Sequence, residues 1–323
     1  MKYLSVCSGM EAASVAWKHL GWTPVGFSEI EPFPSQILKH HYPTIPNYGD
    51  LTKFKEWPLQ RGSIDLLVGG TPCQPFSRAG DRQGLNDPRG QLMFSFLDLA
   101  ERLKPKWIIW ENVVGVLSSG EPKGSDFGFF LQRLVECGYG FAYRVLDTQF
   151  IGGSRALPQR RRRVYVVCHL GNWKCSAEVL SLTEGLSGYI ETSKKKRQKT
   201  SSNVRRKIET NCESNVMSFD TYNQSVSNVS KTLTCAASDV NHTGAVYSST
   251  MAVRRITPIE AERLQGFPDN YSMIPWKGKP AEQCPDGHRY RACGNSMSVS
   301  IMSWIGERIQ KQNDCCTTQA PVL

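Results

Sequence analysis

The chain has 323 residues, 40% of them apolar and 21% charged, which fits a soluble globular protein of one large or two modest domains rather than a disordered or fibrous chain. No apolar run reaches membrane-spanning length, and the short apolar stretch after Met1 reads as a first strand and not as a signal peptide, so no membrane partner and a cytoplasmic location are expected. The 11 scattered cysteines lack zinc-like spacing, so free thiols and no metal are expected.

The first half alternates strand and helix signals. Leu4 to Cys7 reads as a strand, and Glu11 to Leu20 as a helix closed by Gly21. Val25 to Ser28 reads as a second strand, followed by a helix from Pro32 to His41. Ile64 to Val68 is a third strand, and Gln91 to Leu103 an amphipathic helix with Leu92, Phe96, Leu99 and Leu103 on one face. Trp107 to Trp110 is a strand, and Phe127 to Cys137 a helix ended by Gly138. Tyr143–Leu146 and Val164–Val167 are suited to pair as a late hairpin. This alternation predicts an α/β fold with a doubly wound, mostly parallel sheet.

The pattern then changes. Residues 171–250 are rich in Ser, Thr and Asn, with Thr232-Leu233-Thr234 the best short strand signal. Order returns at Thr257-Pro258-Ile259-Glu260, which combines an N-cap, a proline at the first helical position and a capping-box glutamate; that helix should stop at Gly266. A last helix is expected from Ser298 to Gln310. These signals divide the chain into 1–172 plus 293–313, a second unit over 173–292, and a polar tail over 314–323.

The net charge is +10, and Lys194, Lys195, Lys196, Arg197, Lys199, Arg205, Arg206 and Lys207 supply eight positive charges with no acid among them. Such a run is either a solvated loop or a phosphate-binding segment.

Three motifs carry the chemistry. Gly69-Gly70-Thr71-Pro72-Cys73 follows the third strand, placing a cysteine just past a strand's carboxyl end, where α/β sheets carry catalytic side chains. Glu111-Asn112-Val113 follows the Trp107 strand. Gln159, Arg161 and Arg163 form a Q-x-R-x-R pattern, and in a strand the two arginines share a face while Arg160 and Arg162 point away. Pro-Cys, Glu-Asn-Val and Q-x-R-x-R, in that order, resemble the cytosine-C5 DNA methyltransferase family of bacterial and phage type, and the resemblance extends across nearly the whole chain.

The chemistry needs these residue types. Cytosine C5 is a poor nucleophile, and thiolate attack at C6 turns the ring into an enamine. Cys73 is the candidate thiol, with positive charge from Arg161 and Arg163 to favour its thiolate. Glu111, a shielded carboxyl, is the candidate proton donor to N3. The resemblance implies that Arg161 and Arg163 approach the target cytosine and its phosphate.

The methyl donor that the resemblance implies is S-adenosylmethionine. The turn Cys7-Ser8-Gly9-Met10-Glu11 can hold a carboxylate on its backbone N–H groups. Glu29 is placed for ribose hydroxyls. By resemblance Ile30 packs on adenine, Asp50 beside Leu51 meets the adenine edge, and Pro72, Leu92, Asn295 and Ser296 make further contacts. The first turn departs from the family, which has Phe and paired glycines where this chain has Cys7 and Glu11-Ala12.

The expected partner is double-stranded DNA, bound by a monomer. The basic residues Lys194 to Arg197 and Arg205 to Lys207 are expected on phosphates, and Thr232 and Leu233 resemble the family's short Thr-Leu recognition element. Three rivals stand beside this reading: an RNA cytosine-C5 methyltransferase of the same fold, a catalytically inactive DNA-binding protein, and a thiol hydrolase. No histidine accompanies the motifs, which disfavours the hydrolase.

Overall fold

The computed structural model describes residues 1–71, 88–182, 217–220, 225–227, 230–231, 245–247 and 253–318. A six-stranded sheet is built from β1 (Lys2–Val6), β2 (Thr23–Ser28), β3 (Leu66–Gly69), β4 (Trp107–Val113), β5 (Tyr139–Asp147) and, after a two-residue strand β6 (Gln159–Arg160), β7 (Arg162–Leu170). Its order is β2-β1-β3-β4-β7-β5. The pairs from β2 to β4 are parallel, whereas β7 is antiparallel to both β4 and β5. The hairpin read from Tyr143–Leu146 and Val164–Val167 is therefore present, with Tyr143 opposite Val166.

Around this sheet lie α1 (Ala12–Trp17), α2 (Pro32–His41), α3 (Pro88–Leu103), α4 (Ser125–Glu136), α5 (Trp173–Leu180), α6 (Pro258–Gln265), α7 (Asp286–Asn295) and α8 (Val299–Thr318). The central strands are buried on both faces, and alternation sends successive side chains to opposite layers. Tyr3, Leu66, Val68, Trp107, Ile109, Tyr165 and Val167 pack with α1, α5 and α8. Leu4, Val6, Leu67, Ile108, Trp110, Val164 and Val166 pack with α3 and α4. This is the doubly wound, mostly parallel α/β architecture that the alternation predicts.

Helix ends follow their chemistry. Gly21, in the left-handed region, closes a short 3-10 turn after α1. The capping box of Thr257 and Glu260 starts α6, and left-handed Gly266 ends it. Three helices differ from expectation. α5 and α7 lack a sequence signal, and α8 continues to Thr318, so residues 314–318 extend the helix rather than form a tail. α7 is polar in sequence because its buried side includes Arg289, whose charge is met by the fully buried Glu262 of α6 at 3.0 Å. Periodicity cannot reveal a helix that buries an ion pair.

The remaining strands, β8 (Met217–Asp220), β9 (Ser225–Ser227), β10 (Ser230–Lys231), β11 (Ala245–Tyr247) and β12 (Val253–Arg255), fall in two groups. β12-β11-β8-β9 form an antiparallel sheet. β10 pairs in parallel with β6, placing Ser230 opposite Gln159 and Lys231 opposite Arg160.

Candidate active site

Pro72 and Cys73 lie outside the described residues, but the chain leading to them is held firmly. Thr71 is buried just beyond β3. Trp110 Nε1 donates to Thr71 Oγ1 at 2.9 Å, and Asn112 Nδ2 donates to the Thr71 carbonyl, also at 2.9 Å. Asn112 Oδ1 in turn accepts the Val113 N–H at 2.8 Å, which fixes its amide. Trp110 and Asn112 share one face of β4, so the strand clasps the end of its neighbour twice. Sequence reasoning gave Asn112 no task of its own; its place beside Glu111 was the available signal.

Glu111 leaves β4 on the opposite face. Its Oε1 lies 3.3 Å from Arg163 Nε, an ion pair without an aligned hydrogen bond. The register explains the pairing: Tyr165 sits directly opposite Glu111, and Arg163 is two residues along on the same face. A Cβ on Gly70 would lie 3.1 Å from Glu111 Oε2, so glycine leaves the carboxyl open toward the end of β3. Burial raises the Glu111 carboxyl above its ordinary range, while Arg161 and Arg163 oppose that rise.

Arg161 and Arg163 both act on Glu111, and Arg160 and Arg162 are exposed. Arg161 itself sits in the break between β6 and β7, and only 2% of it is exposed. Its guanidinium donates to the carbonyls of Gly294 (3.2 Å) and Ser296 (2.6 Å). Burial lowers its pKa to about 10, which leaves it charged at neutral pH. Ser296 therefore faces Arg161, while Asn295 is exposed at the end of α7. The buried Gln159 accepts from Gln265 Nε2 at 3.1 Å, so α6 meets the same segment.

A second group gathers at the carboxyl ends of β1 and β2. Cys7 (φ 50°), Gly9 (φ 56°) and Glu11 (φ 66°) are all left-handed. The turn thus keeps its tight shape at Glu11 without glycine, because the Glu11 carboxylate caps α1 by accepting from Ser14 N at 3.0 Å. Ser8 Oγ donates to the Ser5 carbonyl at 2.9 Å. Burial pushes the Cys7 thiol up to about 12. Met10 is fully buried, so its side chain belongs to the core and only its backbone is left to the turn.

Glu29, ending β2, accepts the N–H of Gly9 at 2.8 Å and of Glu31 at 2.8 Å, tying the two strand ends together. Burial raises its carboxyl. Beside it Ile30 is 65% exposed, a large apolar side chain left uncovered at the surface. Asp50 accepts from Thr52 N at 2.9 Å, Leu51 is buried, and Leu92 is partly buried against the α3 and α4 layer. A left-handed turn for a carboxylate, an acid for ribose hydroxyls and an uncovered apolar platform fit S-adenosylmethionine. Lys194, Lys195, Lys196, Arg197, Arg205, Arg206, Lys207, Thr232 and Leu233 lie outside the described residues. Among the described residues no group could hold a metal ion, and no helix is long and apolar enough to cross a membrane.

A mostly parallel six-stranded sheet with one reversed strand and helices on both faces is the Rossmann-like fold of S-adenosylmethionine-dependent methyltransferases. The same fold is found in the Dnmt2 methyltransferase of S. pombe (TM-score 0.67, 19% identity, 97% of this chain and 99% of that one) and in the methyltransferase EhMeth of Entamoeba histolytica (TM-score 0.67, 16% identity, 97% and 98%). The model of the C-5 cytosine-specific DNA methylase family matches residues 1–311, and the chain belongs to that family. Type II methyltransferase M2.BsuMI of Bacillus subtilis (strain 168) is 28% identical over 96% of this chain and 76% of its own length. A protein of Escherichia phage P1 named DNA N-6-adenine-methyltransferase is 31% identical over 96% of this chain, which spans 61% of that relative.

Proposed function

We propose that this chain is a DNA (cytosine-5)-methyltransferase that acts on a flipped-out cytosine within a specific duplex sequence. The observation that carries this reading is the buried Glu111 carboxyl, its pKa raised by burial, beside Gly70 three residues before Cys73. In this reading the Cys73 thiolate adds to C6 while neutral Glu111 donates a proton to N3, and the electron pair gathers at C5. S-adenosylmethionine supplies an electrophilic methyl group. Loss of the C5 proton then lets the Cys73 sulfur leave C6. Arg161 and Arg163 hold positive charge at the base and limit how far the Glu111 pKa rises. Flipping the base costs about a few kcal/mol, which contacts to phosphates would offset.

Asn112, Trp110 and Thr71 act as positioning residues for Cys73. The cofactor reading uses the Cys7–Glu11 turn, Glu29, Ile30 and Asp50. For the second unit, expected over 173–292, Cys175, Val179, Leu180, Ile256, Ala261, Phe267 and Ala292 share a core with Tyr3 and Trp17. We therefore draw its DNA-reading part more narrowly, at residues 183–252, with the basic run on phosphates. The working state is a monomer in the cytoplasm of a bacterial cell, encoded by the host or a phage.

The phage P1 relative's name raises a second reading, methylation of adenine N6. That exocyclic amine needs neither a thiol at C6 nor a proton at a ring nitrogen, so Cys73 and a buried carboxyl at Glu111 would serve no purpose. Bisulfite sequencing of a plasmid from a methylation-free host expressing the protein, with an antibody assay for N6-methyladenine, separates the two. Protected cytosines in one sequence context are expected. N6-methyladenine with fully converted cytosines would overturn the proposal. A duplex carrying 5-fluorocytosine should trap wild-type enzyme as a denaturant-stable adduct in the presence of S-adenosylmethionine, and Cys73→Ser should form none. The same assay on tRNA tests the RNA reading.

A further inference from the structure

Glu11, like Cys7, departs from the family's pattern in the proposed cofactor turn. It replaces a glycine, it is fully buried, and it holds a left-handed backbone that a non-glycine residue adopts at a cost of about 1 kcal/mol or more. Its Oε1 accepts from Ser14 N and from Ser14 Oγ, each at 3.0 Å. Ser14 Oγ is 2.5 Å from Tyr3 OH, so a Tyr3–Ser14–Glu11 relay ends on that oxygen. Glu11 Oε2 makes no well-aligned hydrogen bond among the described residues, although the Ser5 hydroxyl lies near enough to favour the carboxylate. A fully buried ionised carboxylate so weakly compensated is costly, and a proton on Oε2 removes the cost.

Among the described residues no cation compensates this carboxyl. Tyr3 of β1, Tyr42 at the end of α2 and Tyr271 beyond α6 face this carboxyl, and burial raises all three phenols above their ordinary range. His41 stacks on Tyr271 with ring centroids 4.0 Å apart, and burial lowers its pKa. Glu29 lies across the turn and is itself raised by burial. Burial pushes the Glu11 carboxyl up to about 7, against the lowering effect of Ser5 and Ser14.

We infer that Glu11 is a proton-linked positioning residue of the cofactor turn, ionised when the cationic cofactor is bound and protonated when the uncharged product remains. The inference rests on the cofactor's amino-acid end lying at this turn. S-adenosylmethionine carries a sulfonium and an ammonium against one carboxylate and is a net cation; S-adenosylhomocysteine lacks the sulfonium charge and is net neutral. A cation brought to the turn favours the carboxylate, so the O–H bond at Oε2 breaks and its proton passes to solvent. Ionisation also strengthens the cap on Ser14 N–H and the α1 dipole, firming the turn. Methyl transfer removes the sulfonium charge, and Glu11 takes a proton back. The turn thereby favours cofactor over product in a pH-dependent way.

The test is calorimetric titration of the full chain at pH 7 in buffers of differing ionisation enthalpy, which counts protons released on binding. Wild type should release a substantial fraction of a proton with S-adenosylmethionine and much less with S-adenosylhomocysteine. Its affinity for S-adenosylmethionine should weaken up to about tenfold from pH 8 to pH 6. In Glu11→Gln, which keeps the acceptor for Ser14, only the share of Glu29 and other groups should remain. Glu11→Gly, which suits the left-handed backbone, is the second variant. Release and pH dependence unchanged in both variants would overturn the inference while leaving the cofactor site intact. Failure of wild type to bind S-adenosylmethionine at all would overturn the cofactor placement itself.

Discussion

At the scale of single residues, the protonation of Glu111 makes a signed prediction. Its folded pKa is raised by burial and held back by Arg161 and Arg163. A carboxyl raised in this way contributes stability that is complete below its unfolded pKa and lost as pH rises through the folded value. In the proposed mechanism the proton that Glu111 donates to N3 is lost over the same interval, so single-turnover methylation should fall on the alkaline side. Arg163→Gln removes an opposing charge, so the fall should move to higher pH even as the rate drops. Glu111→Gln should slow turnover by about a hundredfold or more. An alkaline limb at the same pH in Arg163→Gln would show that Glu111 is not the group being read. Motif order alone made Glu111 legible. Its open side toward Gly70 and the carbonyls that hold Arg161 were not, because Gly294 and Ser296 lie more than a hundred residues away in sequence.

At the scale of elements, β4 does two jobs through alternation: one face presents Glu111, and the other clasps Thr71 through Trp110 and Asn112. Asn112→Ala should release the Thr71 carbonyl and slow formation of the 5-fluorocytosine adduct, while affinity for S-adenosylmethionine stays at the wild-type value. Equal adduct rates in the two proteins would mean that the clasp does not position the nucleophile. A second element-scale prediction concerns α8, which lies along α1. A Cβ on Gly306 would collide with the Trp17 indole, whose Nε1 donates to the Met302 carbonyl at 2.8 Å. Gly306→Ala should destabilise the fold by about 1–3 kcal/mol in urea unfolding. Gly287→Ala in α7, where a Cβ meets nothing within 4 Å, is the control and should not destabilise. The alternation of strand and helix was legible because buried parallel strands and amphipathic helices leave strong periodic signals. α7 was not, since its buried Arg289 and Glu262 satisfy each other only in three dimensions.

For the whole molecule, the charge distribution matters more than the total. Eight positive charges fall between Lys194 and Lys207. Replacing Lys194, Lys195, Lys196 and Arg197 with Gln should weaken duplex binding and flatten its salt dependence, by about 0.9 in log–log slope for each phosphate no longer neutralised. Preference among sequences should hardly change, because phosphate contacts position the protein rather than specify the site. An unchanged slope would make the run a solvated loop. The pairing of β10 with β6 joins the chain beyond this run to Gln159 and Arg160, one residue before Arg161. That link gives the segment proposed to read DNA a short mechanical path to Arg161.

The sequence by itself determined the alternating architecture, the ordered motifs and the family they resemble, because each is written in local patterns of side-chain type. It also marked Glu11 as a departure where glycine was expected, without revealing the consequence. Only the tertiary structure decided that Glu11 is fully enclosed, that Thr71 is clasped from β4, and that Arg161 is held by the carbonyls of Gly294 and Ser296. Those are properties of contacts between segments distant along the chain, and burial, which sets the pKa values that matter here, exists only once the segments have packed.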